Sequence, residues 1–216
     1  MFRFISPRWV VVPVLLALAG LARATVEGPG EVIRDASDEI LVALETRRDE
    51  LAADEDALLA LVDDILLPRF DRRYTGGLVM GKYWRQATDE QRDRFILALY
   101  RSLVRTYASN ILEYRGDQLE VLPVEDDLST GKVIVETRVT LESGVVTPVN
   151  YRMRLKDDRW LAYDVIIEGI SYVANYRKQY ASEFRAKGID KVIEELEAKA
   201  TAGEPISDSA ATAAVQ

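Results

Sequence analysis

Two carboxylates lie on a stretch of sequence that is otherwise aromatic and branched, Trp160–Arg177. Asp164 and Glu168 are the only charged residues of its first half. A carboxylate in an apolar site can act as a general acid or base, so Asp164 beside a tyrosine could abstract a proton. The alternative is a structural network in which Arg177 or backbone N–H groups satisfy the two acids. We favour the network, because a buried charge without partners is costly.

The residue types that most often carry covalent and metal chemistry are missing from the chain. It has no cysteine and no histidine, which excludes nucleophile–base pairs built on either residue and zinc held by them. Gly169-Ile170-Ser171 lacks the G-x-S-x-G spacing of a nucleophile elbow. There is also no aspartate-rich loop of the calcium-binding type. We therefore predict no catalytic residue, no metal site and no cofactor.

The elements that must position the two acids are a strand and a helix. Alternation predicts a strand from Trp160 to Ile167 with two faces: Leu161, Tyr163, Val165 and Ile167 on one, and Trp160, Ala162 and Ile166 with both acids on the other. Gly169 then opens a helix that runs to about Lys187. A strand this apolar must be covered by other parts of the protein on both faces. We expect helices on one side and a cavity on the other.

Helical periodicity dominates the chain before this strand and after it. Helices are predicted over four segments, Glu31–Arg48, Leu58–Leu67, Thr88–Tyr114 and Ile189–Lys199, with a weaker signal over Leu78–Trp84. Thr88 and Gln91 have the spacing of a capping box. The apolar surface of the helix that follows is wider than one contact stripe, so this helix is either central to the core or lines a cavity.

Strand periodicity fills the middle of the chain. Three further strands are predicted over Leu119–Leu122, Lys132–Leu141 and Val145–Leu155, joined by short loops. Short connections between consecutive strands predict an antiparallel sheet of about four strands. Because the helices cluster on either side of the sheet in sequence, the fold class is α+β. We expect one domain over residues 25–200 and a disordered tail over residues 201–216, where small and polar residues prevail.

The first 24 residues have the features of an export signal. Arg3 and Arg8 precede an apolar run, Trp9–Ala22, and a small-x-small cleavage site ends at Ala24. The alternative is a retained membrane anchor, but the run is shorter than the roughly 20 residues that a spanning helix needs. We expect cleavage before Thr25.

Cleavage would make the chain more acidic. The full sequence has 28 basic and 36 acidic residues. Losing Arg3, Arg8 and Arg23 with the leader leaves 25 basic residues and a net charge of −11. This charge argues against nucleic acid as a partner, because phosphates require a basic surface.

A long and specific motif runs over Trp160-x-x-Tyr163-Asp164-Val165-x-x-Glu168-Gly169-Ile170-Ser171 and is followed by Asn175-Tyr176-Arg177. In this motif the chain resembles the MlaC/toluene-tolerance (Ttg2-type) family of periplasmic phospholipid-binding proteins. Two earlier segments match in the same order, Ile65–Asp71 and Gly81–Thr88, and the latter continues to Gln91 and Phe95. Tyr107, Tyr114 and Tyr151 match between them. The resemblance covers about Glu31 to Lys199.

The resemblance implies a soluble periplasmic carrier and not an enzyme. Members of the family move phospholipid between an outer-membrane lipoprotein/porin complex and an inner-membrane ABC transporter complex with a membrane-anchored substrate-binding subunit, and so maintain the lipid asymmetry of the outer membrane. The implied fold is a twisted sheet like that of nuclear-transport-factor-2 proteins, cradled by helices, with the acyl chains inside.

The residues expected to line the lipid site come from the apolar faces of the sheet and of the helix that begins at Thr88. They are Leu99, Leu103, Tyr107, Val135, Val149, Tyr151, Met153, Tyr163, Val165 and Ile167. Arg152 and Arg154 are candidates for contact with a lipid head group or a partner, or for a plain solvated strand face. Two other classes stay open: an enzyme that uses Asp164 as acid or base in an apolar pocket, and a periplasmic adaptor that binds no lipid.

Overall fold

The computed structural model of the chain describes residues 26–115, 118–140 and 143–202, except for the side chains of residues 109 and 110. The predicted export signal, most of the predicted tail and Leu141 lie outside these residues. The helices are α1 (Pro29–Ala53), α2 (Glu55–Leu66), α3 (Arg72–Met80), α4 (Asp89–Leu112), α5 (Tyr172–Lys187) and α6 (Ile189–Ala202). The strands are β1 (Leu119–Val121), β2 (Lys132–Val135), β3 (Thr137–Thr140), β4 (Val146–Lys156), β5 (Arg159–Ile167) and β6 (Ile170–Ser171).

The sheet is antiparallel throughout, which confirms the predicted α+β class. Its strands are ordered β1-β3-β4-β5-β6, and β2 also pairs with β4. The predicted strand over Lys132–Leu141 is divided at Glu136 into β2 and β3, which pair with different halves of β4. This division and the additional two-residue strand β6 give six strands, where four were expected.

Local signals explain several helix boundaries. The Thr88 side chain accepts from the Gln91 backbone N–H at 3.1 Å, and the Gln91 side chain accepts from the Thr88 N–H at 2.9 Å, so the predicted capping box is present at α4. The helix after Gly169 starts later than expected, at Tyr172, because Ile170 and Ser171 first pair with β5. Ser171 then caps α5 through the Ala174 N–H.

A β-bulge changes the faces of β5. Next to the tight turn, Lys156 of β4 pairs with Arg159 of β5. The register stays regular as far as the pair of Met153 and Ala162, but the next residue of β4, Arg152, pairs with Asp164. Tyr163 is therefore the extra residue of β5. The strict alternation predicted for this strand is wrong, because the bulge places Trp160 and Ala162 on the same face as Val165 and Ile167.

We call the face of the sheet that carries Val135, Tyr151 and Val165 the inner face, and the opposite one the outer face. Val32 and Ile33 of α1 pack on the inner face against a buried cluster that includes Val133, Val135 and Trp160. The outer face carries Tyr163, Asp164, Arg152 and Arg154 and lies against α3 and the start of α5. The sheet is thus covered by helices on both sides.

Two further buried clusters hold the helices together. One joins α3, α4, α5 and α6 and includes Phe95, Tyr176, Phe184 and Ile193. The other joins α1, α2 and α4, and includes Leu44, Leu51, Leu58, Val62 and Ala108. In the part of the chain that the structure describes, no helix combines the length and the apolarity needed to cross a bilayer.

Candidate functional site

Six of the predicted lining residues share the inner face of the sheet. Val135 pairs with Tyr151 across β2 and β4, and Tyr151 pairs with Val165 across β4 and β5. Val149 pairs with Ile167 further along the same two strands. Met153 also lies on this face, beside Val133. The register thus gathers six side chains into one apolar strip.

The strip has a closed end and an open end. Val135 and Met153 are completely buried, with 0% exposure, in the cluster under α1. Val149, Tyr151, Val165 and Ile167 keep part of their surface accessible. Completely buried side chains have no room for a ligand, so only the half-buried end of the strip can line a cavity.

Tyr151 lies deep in this half-buried end. Burial, with a smaller contribution from nearby Tyr114, raises the pKa of its phenol to about 12. The side chain nevertheless keeps accessible surface. The accessible part of Tyr151 therefore lies at the half-buried end of the strip. Tyr114 lies near this end, and its hydroxyl is 2.5 Å from the Ser37 hydroxyl of α1.

Helix α4 contributes the predicted residues Leu99, Leu103 and Tyr107. Leu99 is only 3% exposed and belongs to the core between α4, α5 and α6. Leu103 is half-buried and packs against the same core. Tyr107 is half-buried, and its ring meets that of Tyr172 edge-on, with the centroids 5.7 Å apart. The contacts shown for these three residues are thus with α5 and with the core between the helices.

Tyr163, Arg152 and Arg154 lie on the outer face, away from the strip. The Tyr163 ring packs edge-on against Tyr74 of α3, with centroids 5.1 Å apart. The structure therefore separates these three side chains from Tyr151 by the thickness of the sheet.

Asp164 is the centre of a network on the outer face. Its carboxylate is 1% exposed and accepts from Arg152 at 3.1 Å, from the Ser171 hydroxyl at 2.6 Å and from the Val173 backbone N–H at 3.0 Å. The network expected from the sequence is present, but with Arg152 as the cation in place of Arg177. A carboxylate whose two oxygens are occupied by three donors has no geometry for abstracting a proton from a ligand. Glu168 lies in the exposed turn after β5, with φ +50°.

A second buried acid explains Arg154. Asp71 is 5% exposed and caps α3 by accepting from the Tyr74 N–H at 3.0 Å. Its other oxygen lies 3.4 Å from Arg154 and 3.9 Å from Lys156. The Arg154 guanidinium also stacks over the Tyr74 ring at 4.3 Å. Each arginine therefore pairs with a buried acid of the fold.

Two clefts on the described part of the surface lie elsewhere. One, of about 560 Å³, lies between α2, α4 and α6, and the other, of about 420 Å³, lies beside the start of α3 and the β4–β5 turn. Neither cleft contains a predicted lining residue, and charged side chains such as Arg94, Arg101 and Arg159 border them.

Two tyrosines that are absent from the sequence-based list lie next to its members. Tyr172 contacts Tyr107, and Tyr114 lies near Tyr151. For Tyr172 the signal was available, because Tyr172, Tyr176, Tyr180 and Phe184 recur every four residues and so share one face of α5. Tyr114 lies just past the end of α4, where helical spacing no longer fixes direction.

Comparison with known proteins gives consistent results. The profile of the family described as MlaC protein matches residues 34–198. The toluene tolerance protein ttg2D of Pseudomonas putida is 30% identical over 184 residues, which cover 84% of this chain and 85% of that protein. The intermembrane phospholipid transport system binding protein MlaC of Haemophilus influenzae is 20% identical over 200 residues, or 90% and 94% of the two chains.

A solved structure has the same fold. It is the phospholipid-binding protein from Ralstonia solanacearum in complex with a phospholipid, with a TM-score of 0.73 and 25% sequence identity. The match covers 80% of this chain and 96% of that one.

Proposed function

The chain belongs to the MlaC family, and from that membership we propose that it is a phospholipid carrier of an intermembrane transport system. The observation that best supports a lipid site is the half-buried apolar strip of Val149, Tyr151, Val165 and Ile167, in which the Tyr151 phenol is the most deeply placed group. The chain is a binding protein and not an enzyme, and the buried acid that suggested an enzyme is committed to the network around Arg152.

A carrier of this kind transfers its cargo by contact. Each buried methylene contributes about 0.8 kcal/mol, so a diacyl lipid with roughly 30 of them gains about 24 kcal/mol of apolar burial, beyond the practical limit of non-covalent affinity. Such a ligand does not leave into water at a useful rate. Transfer from the pocket to a membrane or to another pocket nearly cancels this apolar free energy, so docking must open the route.

The partners and the compartment follow from the same proposal. The carrier takes phospholipid in the periplasm and exchanges it with an inner-membrane ABC transporter complex and an outer-membrane lipoprotein/porin complex. Residues 1–24 serve as the export signal, and residues 25–200 form the lipid-binding domain. The acyl chains occupy the space between the inner face, α1 and the end of α4, and the head group stays outside.

Native mass spectrometry of the mature protein, purified without detergent, tests the proposal. The expected result is a mass increase equal to a diacyl phospholipid, which organic extraction releases. A protein that purifies empty and takes up no lipid from phospholipid vesicles would refute the carrier function.

A further inference from the structure

The two clefts on the surface meet at one exposed leucine of α4. Leu97 is 41% exposed and lines both of them. Along α4 the clefts together extend from Asp93 to Arg105, which corresponds to about 18 Å at 1.5 Å per residue. They therefore form one continuous depression, which we call the α4 groove.

The α4 groove is basic, although the molecule is acidic. Seven basic and four acidic side chains line it, a net charge of +3, whereas the whole chain has a net charge of −8. Each of the four acids already has a partner in the fold: the pairs are Asp63 with Tyr100, Asp71 with Arg154, Asp93 with Arg73, and Glu197 with Arg94. The groove therefore offers positive charge to a ligand.

Three arginines of the groove have no acidic partner. No described carboxylate lies within ion-pair distance of Arg72, Arg101 or Arg159. Arg101 and Arg159 are exposed, and Arg72 is half-buried with its guanidinium 5.5 Å from the centre of the Tyr100 ring. Arg101 lines the first cleft, and the other two line the second. Because these cations lie at both ends of the groove, they suit a ligand with several anionic groups better than a single ion.

Apolar side chains lie in the groove between these cations. Leu59 and Val104 are half-buried in the first cleft, and Phe70 and Ile96 are half-buried in the second. The walls are mainly helices, whose backbone groups are hydrogen-bonded internally, so a ligand meets side chains and cannot extend a sheet. A groove of this kind is suited to the apolar face of an amphipathic helix.

The second cleft is far from the accessible end of the apolar strip. Lys156 lines this cleft, and Val149 belongs to that end of the strip. Seven residues of β4 separate the two, which corresponds to about 23 Å at 3.3 Å per residue. A ligand bound in the second cleft therefore leaves Val149 uncovered.

We propose that the α4 groove is a docking site for an acidic amphipathic helix of a partner protein. Its carboxylates pair with Arg72, Arg101 and Arg159, and its apolar side chains cover Leu97. This inference rests on the proposed function, since a carrier that transfers lipid by contact must dock. An anionic membrane fits less well, because a flat surface cannot follow a concave groove whose apolar side chains lie between its cations.

A synthetic helix tests the charge preference of the groove. The probe is a fluorescein-labelled, lactam-bridged helix of about 14 residues, about 21 Å long, with leucines on one face and glutamates beside them. The control peptide has lysine in place of every glutamate. Fluorescence anisotropy with the full lipid-loaded chain should show binding of the acidic helix about tenfold tighter than that of the control. Raising the salt concentration from about 0.1 M to about 1 M should weaken this binding several-fold.

Substitutions in the groove test its location. Arg101→Glu and Arg159→Glu should each weaken binding of the acidic helix about fivefold or more, because like charges then face each other. Leu97→Ala removes apolar contact without a change of charge and should weaken binding about threefold or more. Arg185→Glu is the matched control, since Arg185 is exposed on α5 and lines neither cleft. This variant should bind like the wild type, and circular dichroism checks that all four variants are folded.

Several outcomes would overturn the proposal. Equal binding of the two peptides, or equal weakening by Arg101→Glu and Arg185→Glu, would exclude recognition by the groove. Binding to phosphatidylglycerol vesicles but not to the acidic helix, abolished by Arg101→Glu, would assign the groove to a membrane.

Other occupants of the groove give different results. A chain that ends at Ala202 and binds the acidic helix about tenfold more tightly would identify residues 203–216 as the occupant. A dimer that Arg101→Glu dissociates, measured by sedimentation, would identify a second copy of the chain. Either result would refute docking of a partner helix. A chain that binds the acidic helix but never carries lipid would instead refute the carrier function alone.

Discussion

Arg152 and Asp164 face each other across β4 and β5, with 3.1 Å between Nη1 and Oδ2, on the side of the sheet that faces away from the candidate cavity. The carboxylate is almost completely buried, whereas the arginine side chain is 42% exposed. The two partners therefore depend on the pair to different degrees.

Loss of Asp164 should be much more damaging than loss of Arg152. Asp164→Ala removes three hydrogen bonds to one buried charge and should lower the free energy of unfolding by about 3 kcal/mol. Arg152→Ala leaves two of the three donors in place, and solvent screens the exposed guanidinium, so a loss of about 1 kcal/mol is expected. Urea unfolding measures both changes. Arg138→Ala, which breaks an exposed pair with Glu120, is the control and should have almost no effect. Equal losses for Asp164→Ala and Arg152→Ala would contradict this asymmetry.

A charge placed in the cavity should abolish lipid retention. Tyr151→Arg introduces a cation into the half-buried end of the apolar strip, where acyl chains could not compensate for its desolvation. We expect the variant to purify without lipid, as measured by native mass spectrometry. The control is Leu155→Arg. Leu155 lies on the same strand and is 36% exposed, so this variant should keep its lipid. Retention by Tyr151→Arg would place the cavity elsewhere.

The Tyr151 phenol should titrate late. Its pKa of about 12 lies above the ordinary value of 10.0 because burial disfavours the phenolate. A raised pKa in the folded state means that the contribution of this group to stability is complete below pH 10 and is lost as the pH rises through about 12. Ultraviolet difference titration of the wild type against Tyr151→Phe isolates this phenol. A difference signal centred near the ordinary value would show that Tyr151 is solvated.

Two acids near the start of α1, Glu27 and Asp35, should make stability depend on pH in the acidic range. Burial and then the neighbouring Asp35 raise the pKa of Glu27 above its usual value of 4.5. Its contribution to stability is therefore complete below pH 4.5 and is lost as the pH rises through its folded-state pKa. Glu27→Gln should raise the melting temperature slightly at pH 7 and leave it unchanged at pH 4. An equal effect at both pH values would exclude repulsion between the two carboxylates.

The contact between α3 and α4 depends on one glycine. A Cβ at Gly76 would lie 2.5 Å from Cγ1 of Ile96, so Gly76→Ala forces the helices apart and should cost about 1–3 kcal/mol of unfolding free energy. The neighbouring Gly77 is the matched control, because a Cβ there meets the Trp84 ring at an ordinary 3.5 Å. Gly77→Ala should be neutral or stabilising, since alanine favours the helix by about 0.5–1 kcal/mol. Similar losses in both variants would refute the steric argument.

Much of the fold could be predicted because its signals are local. The capping box at Thr88 and the alternation of Val133 and Val135 depend on residues close together in sequence, and the structure reproduces both. The tight turn at Asp157-Asp158 also sets the register of β4 and β5 near the turn by simple counting. From Lys156 and Arg159 this counting correctly pairs Met153 with Ala162.

Counting residues from the turn could not predict the β-bulge in β5. Continued without it, the register pairs Arg152 with Tyr163, which leaves Asp164 without the arginine it binds. The cause is not local to the strand. Asp71 and Thr75 at the start of α3 hydrogen-bond to the carbonyls of Ala162 and Tyr163, and this contact joins residues about 90 positions apart in sequence. The same limit explains why Tyr163 was expected beside Tyr151.

The two faces of this sheet have separate roles. Side chains at the half-buried end of the inner face, such as Val149 and Ile167, line the proposed lipid cavity, and those on the outer face of β4 and β5 maintain the ion pairs to Asp164 and Asp71. A mutation that enlarges or reshapes the cavity at Val149 or Ile167 leaves those ion pairs untouched. Changes in cargo preference and changes in the stability of the scaffold should therefore arise from different positions of the same two strands.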